Sequence, residues 1–351
     1  MPLSPERQVE ILLQAYRSGT YEIVSNIEKM TSGGRSTIHA RAALNETQQI
    51  LRELDDFADA WIETNVPAAY REGWDNSFKS TLAAYPEGFG AETKYGNFAK
   101  INKQALETIA YNLQDTLHGA TQMVGRQARD VFRRVTLEAT QQQLITGQAR
   151  RQITATMKEQ FVSRGITAFR DKLGRTWSLD AYCGMAGQTS LREANTAGTI
   201  NRLTAGGYDL VQISEHAPTC DACAPLQGKV FSLRGETPGY PRYEDYIPVH
   251  PWCKHVLWSY QPKFDSNAEE TRRRSNTSLT SDPRSQAEKD AYKGTQDKKR
   301  QERELREQYK RYVARLGEEE VGSIANFAGS KKADSDRWYQ LQNDYREAGR
   351  E

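Results

Sequence analysis

The sequence predicts an α+β protein that is predominantly helical: a long helical N-terminal body, a small α+β module pinned by cysteine and histidine side chains, and a helical C-terminal tail. Three observations predict it. Apolar residues recur at three-and-four spacing through most of the first 160 positions. Near Thr167 the period changes, and short alternating runs surround three cysteines and two histidines. After 284 a charged pattern returns in which aromatic residues keep a helical step. The divisions that follow are a helical body at 1–160, the module at 161–264, a linker at 265–284 and a charged amphipathic tail at 285–351.

Within the body, Ser4-Pro5 reads as an N-cap followed by proline at the first helical position. Val9, Leu12, Leu13 and Tyr16 follow at helical spacing, and Gly19 is expected to interrupt this short opening helix. A turn at Gly33-Gly34-Arg35-Ser36 precedes a longer segment in which Ala43, Ile50, Leu54, Phe57, Trp61 and Ile62 keep the rhythm, with Pro67 expected to kink or end it. The clearest helix follows the loop from Pro86 to Gly96. Leu106, Ile109, Ala110, Leu113, Leu117, Ala120, Val124, Ala128, Val131 and Val135 form one apolar stripe, and the helix is expected to run to about Gly147. Basic pairs such as Arg133-Arg134 and Arg150-Arg151 fall opposite the stripe. Two readings are open for them: a DNA or partner contact, or an ordinary solvated face.

In the module, Phe169 to Leu179 carries a glycine between two extended pieces, as a hairpin would. A helix begins at Asp180, with Tyr182, Met185, Ala186, Leu191, Ala194 and Ile200 expected on one buried side and Gly206-Gly207 as its C-terminal stop. Tyr208 to Ser214 reads as a strand, Leu226 to Phe231 as its returning partner and Val256 to Tyr260 as a closing strand.

The chemistry lies in the loops of this module. Cys220-Asp221-Ala222-Cys223 is followed after twenty-six residues by His250-Pro251-Trp252-Cys253-Lys254-His255. Two thiolates at this spacing close on one tetrahedral ion, and a second knuckle of mixed Cys and His supplies the remaining ligands, which is the pattern of a structural zinc site. Cys220, Cys223 and Cys253 are the firm candidates, with His250 or His255 as the fourth ligand and His216 a weaker one. A small sheet has little apolar area to bury, so a metal cross-link between its loops is expected to stabilise it. Cys183, outside the cluster, is expected to be a free buried thiol. The opposing reading is reduced thiols beside hydrogen-bonded histidines.

Catalytic uses of the cluster fit less well. A zinc deaminase needs His-x-Glu upstream of Pro-Cys-x-x-Cys, whereas here Glu215-His216 precedes Pro218-Thr219-Cys220. A metalloprotease needs two histidines four apart on a helix with a glutamate between them. A nuclease using the knuckle histidines against a phosphate is the surviving enzyme alternative, and a structural or assembly protein is the preferred expectation over an enzyme.

Composition bounds the partners. Lysine plus arginine (48) against aspartate plus glutamate (46) gives a net charge of only +2, so any DNA contact needs a local patch. No run of eighteen apolar residues occurs, so no membrane partner is expected and the chain is expected to be made in a cytoplasm. In the tail, Leu305, Tyr309, Tyr312 and Leu316 form one stripe; after a break from Gly317 to Ser330, Trp338, Leu341, Tyr345 and Ala348 form another. From 265 to 351 nineteen basic residues face eighteen acidic ones, which favours a protein partner or self-association through these helices over a simple DNA-binding tail. The aromatics folding onto the chain's own body is the other reading.

The run from Gly174-Arg-Thr-Trp177 through Asp209 to His216, Cys220-x-x-Cys223-x-Pro225-Leu-Gln-Gly228-Lys229-Val230 and His250-Pro-Trp-Cys253-Lys-His255 resembles the phage minor capsid protein 2 family, among the head-morphogenesis proteins of tailed bacteriophages. The resemblance is dense from about 160 to 262. It implies a virion component in the capsid interior, present in host cytoplasm during assembly. Its expected partners are the portal protein, the capsid interior and packaged double-stranded DNA, and its expected role is to aid assembly, packaging or DNA delivery. The knuckle departs from the family pattern at Trp252, usually a small polar residue, and at Lys254, often arginine; neither is a candidate ligand.

Overall fold

The structure is a computed structural model that describes residues 4–31, 37–77, 103–141, 168–170 and 176–347. It is α+β and predominantly helical. The chain forms two compact units, one made of Met1–Leu12, Ala58–Leu117 and Gly184–Thr295, the other of Leu13–Phe57, His118–Cys183 and Gln296–Glu351.

Helix α1 spans Pro5–Thr31, α2 Thr37–Asn76 and α3 Lys103–Gln141. Ser4 caps α1 as its sequence indicates, accepting the Arg7 N–H on its hydroxyl at 3.3 Å. Two expected helix ends do not occur. Gly19 lies inside α1, because α2 crosses there: a Cβ at Gly19 would stand 2.8 Å from Leu54 Cδ1, so the glycine is a packing residue. Pro67 lies inside α2, which continues to Asn76. Val66, Ala69 and Tyr70, all buried, flank the proline, and their packing holds the helix where propensity would end it. Along α3 the stripe is buried from Leu113 through Leu117, Ala120, Val124 and Ala128 to Val131. The turn at 33–36, the loop at 86–96, the reach to Gly147 and Arg150-Arg151 lie outside the described residues.

Strands β1 (Ala168–Arg170) and β2 (Thr176–Ser178) pair antiparallel with Phe169 opposite Trp177, forming the expected hairpin. Helix α4 (Leu179–Ala205) follows at once. It is covered on nearly every side rather than on one: between Leu179 and Leu203 only Glu193 is exposed. Small residues permit this. A Cβ at Gly198 would overlap the Tyr70 carbonyl oxygen, and one at Gly73 the Asn195 carbonyl, so α2 and α4 meet backbone to backbone. Thr199 Oγ1 donates to Gly73 O at 3.0 Å, and Asn201 Nδ2 donates to Tyr70 OH at 2.7 Å. The helix stops as expected at Gly207, whose φ of +73° favours glycine, with the Tyr208 N–H donating back to Leu203 O at 2.9 Å.

The module's sheet is three-stranded and antiparallel, in the order β4-β3-β5, where β3 is Leu210–Ile213, β4 Val230–Ser232 and β5 Leu257–Ser259. Val211 faces Phe231 and Ile213 faces Leu257 in the register. These four pack with Leu203, Leu226, Tyr243 and Ile247 on one face, while Leu210, Val230 and Tyr260 cluster on the other. The module therefore has a real apolar core, fuller than its small sheet implied. The returning strand is shorter than Leu226–Phe231: the chain turns repeatedly from Asp221 to Gly228, and Gly228 at φ +66° completes the last turn.

Beyond the sheet a 3-10 turn at Pro262–Phe264 leads to α5 (Ala268–Ser275). Ser275 Oγ accepts the Val230 N–H at 2.9 Å, and the buried Lys229 donates its ammonium to Thr277 O at 2.5 Å and Ser278 O at 3.1 Å. The segment after the module thus lies bonded along the outer strand β4. Helices α6 (Gln286–Leu316), α7 (Glu318–Val321), α8 (Ile324–Lys332) and α9 (Asp336–Glu347) complete the chain. The expected break opens where α6 ends, at Gly317 with φ +89°, but two short helices rather than a loop fill it up to Ser330, and Phe327 inserts fully buried among Tyr309, Tyr312, Val321, Trp338 and Leu341. Tyr312 stacks on Tyr345 with ring centroids 4.4 Å apart. The two aromatic stripes are covered by their own chain. Among the described residues no helix is long and apolar enough to cross a membrane.

Candidate metal centre

Two tight turns present the cysteines and histidines. After β3 the chain passes Pro218 and enters a turn closed by the Ala224 N–H donating to Cys220 O at 2.9 Å, which sets Cys220 and Cys223 on one side. Before β5 a second turn closes with the Cys253 N–H on His250 O at 3.0 Å, pairing His250 with Cys253 in the same way. Its third residue, Trp252, has φ +68° and is 41% exposed. A bulky side chain is disfavoured in that left-handed region, whereas glycine and asparagine enter it readily.

The two turns meet. His250 Nε2 stands 3.1 Å from Cys220 Sγ and 3.2 Å from Cys223 Sγ; Cys223 and Cys253 sulfurs are 4.0 Å apart; His255 Nδ1 lies 3.7 Å from Cys253 Sγ. All five residues named from the sequence fall into two overlapping triads, Cys220-Cys223-His250 and Cys223-Cys253-His255, with Cys223 common to both. Bond lengths of about 2.0–2.3 Å around a tetrahedral ion put its ligand atoms about 3.3–3.8 Å apart. The observed separations lie close to that range, so the donor set fits a small tetrahedral cation such as zinc.

Each candidate histidine has its outer nitrogen engaged. His250 Nδ1 stands 2.5 Å from Pro251 O, and His255 Nε2 stands 3.1 Å from Gln227 Oε1. An acceptor at the outer nitrogen favours the tautomer whose inner nitrogen has a lone pair facing the sulfurs. Cys253 is held well below the usual thiol range, at about 3, chiefly because the Cys223 thiol donates to it, with further help from His255 and against the effect of burial. Cys223 is pushed up correspondingly by the same bond and by burial. A cation bound there would displace the thiol protons, since thiolates are the ligating form.

A second layer braces the turns. Gln227 Oε1 also accepts the His216 N–H at 2.6 Å, and Arg274 donates to Gln227 O at 2.6 Å and to Glu215 at 2.5 Å. Arg284, nearly fully buried, donates to Thr219 O at 2.6 Å and is paired with Asp221, between the two cysteines, and with Asp282. Its guanidinium bolts the first knuckle to the segment that follows the module. Gln227, Arg274 and Arg284 escape sequence reasoning: the first stands in a turn whose residues read as a strand, and the two arginines stand in a stretch whose composition reads as a linker. His216 lies one layer out, its Nε2 2.9 Å from Ser214 Oγ and its ring edge-on to His255 at 4.8 Å. Cys183 is buried and free, and burial holds its thiol well above the ordinary range.

Fold and site together define a helical protein that carries a small Cys/His clip module. The sequence model of the phage minor capsid protein 2 family matches residues 35–345, and the chain belongs to that family. Membership supports a structural role in the phage head and a place in the virion. No curated protein and no solved structure matches the chain.

Proposed function

We propose that the protein is a head-interior assembly component seated beside the portal, and that zinc bound by Cys220, Cys223, Cys253 and His250 fixes the shape of its module during assembly, packaging and DNA delivery. The single observation that carries this reading is the convergence of two turns, thirty residues apart in the case of Cys220 and His250, on a half-buried to buried sulfur and nitrogen cluster within 4.8 Å triads. Three sulfurs and an imidazole fill a tetrahedral shell, which suits an ion that holds structure. His250 is preferred over His255 because its ring nitrogen reaches two sulfurs and that of His255 reaches one. Co-expression with the portal protein of the same phage should give a complex that survives purification and labels the portal vertex of intact heads. A protein distributed over the whole shell, or left out of the head, would end the proposal.

A further inference from the structure

A cavity of about 400 Å³ opens between α2 and α3, lined by Gln48, Arg52, Gln122, Gly125, Arg126 and Arg129 together with Leu51, Asp55 and Thr121. Gly125 brings the helices together there: a Cβ would stand 3.3 Å from Leu51 Cδ1. The three arginines are exposed, and none makes an ion pair or hydrogen bond among the described residues. The cavity's one acid, Asp55, accepts the Thr121 hydroxyl at 2.6 Å. Arg133, also exposed, extends the line on α3 one turn further.

We infer that this groove is a binding site for the phosphate backbone of duplex DNA. Three guanidinium groups gathered around a single carboxylate, itself an acceptor for Thr121, leave net positive charge in the cavity, and their planar forks match phosphate oxygens in pairs. Positions 126, 129 and 133 run about 10 Å along the helix, longer than a single small anion needs and suited to successive phosphates of one strand. The chain as a whole has a net charge of only +2, so a local groove of this kind is what DNA binding requires. Such a groove reads no sequence, since arginine to phosphate positions the duplex without specifying bases. The inference rests on the head-interior reading, where packaged duplex is at hand.

The test uses the full chain, a labelled duplex of arbitrary sequence and fluorescence anisotropy across a salt series. Arg52→Gln, Arg126→Gln and Arg129→Gln combined should weaken binding at least tenfold, and the slope of log affinity against log salt should fall by about 2 to 3, near 0.9 for each phosphate no longer neutralised. The matching lysine triple should keep most of the slope, and a thermal melt checks that each variant folds. A control triple on α6, Lys298→Gln, Arg303→Gln and Arg306→Gln, removes the same charge and should leave the slope near that of the parent. Equal losses in both glutamine triples, or a groove variant that binds like the parent, overturns the inference. Portal capture by the same variants is read separately, so that failed DNA binding with portal capture intact removes the groove and leaves the assembly reading standing.

Discussion

His250 and His255 differ by their reach to sulfur, and that difference sets what each substitution should do. His250→Ala removes a nitrogen that touches Cys220 and Cys223, so zinc affinity of the full chain, measured by competition with a chromophoric chelator, should fall by more than a hundredfold. His255→Ala removes a group that reaches a single sulfur, Cys253, and is steadied by Gln227; the expected loss is about tenfold, the range of a supporting residue. The reverse order would make His255 the ligand. At this scale the side chains that converge are legible from the spacing of a Cys-x-x-Cys turn and a mixed Cys and His knuckle. Arg284 is not legible: its partners are a carbonyl and a carboxylate more than sixty residues earlier, and nothing in Asp282-Pro283-Arg284 announces them.

At the scale of elements, helix periodicity is plain in the sequence and helix ends are less so. Gly317 and Gly322, both at positive φ, end α6 and α7 as their residue type indicates, whereas packing overrides the breakers Gly19 and Pro67, since a breaker inside a buried interface costs less than abandoning the interface. Gly198 shows the same principle from the other side. Its missing Cβ lets α4 lie against the Tyr70 carbonyl of α2. Gly198→Ala must push two backbones apart and should lower unfolding stability by about 3 kcal/mol, near the upper range for overpacking. Gly294→Ala, in α6 with nothing within 4 Å of the new methyl, should instead gain about 0.5–1 kcal/mol. Urea titration of both variants checks the pair, and a neutral Gly198→Ala would mean that the two backbones do not meet so closely.

For the whole molecule, the clip joins loops of a module that already possesses an apolar core and is strapped on its outer strand by the segment from Ala268 to Arg284. Metal removal is therefore expected to loosen loops rather than dissolve the protein. Chelation should speed amide exchange at about 215–228 and 247–256, and at 276–285 through the Arg284 bond, while α8 and α9, packed around Phe327, keep their protection. Hydrogen exchange followed by mass spectrometry reads this directly; protection unchanged at both knuckles on metal removal would mean that the cluster holds no structural ion. The tail's aromatics belong to this scale too. Their spacing predicts an apolar stripe, and only the fold shows that Phe327 covers it, because a stripe is the same in sequence whether its cover comes from the same chain or another.

The amino-acid order by itself determined the predominance of helix, the position of the small sheet, the family and the five side chains of the cluster. Each of these is written in local spacing, which periodicity and ligand geometry read without knowledge of neighbours. The tertiary structure decided where helices truly end, how closely α2 and α4 approach, which residues brace the knuckles and how three arginines from two helices come to share one groove. Those outcomes depend on packing between residues far apart in the chain, and such packing leaves no period or motif at either end.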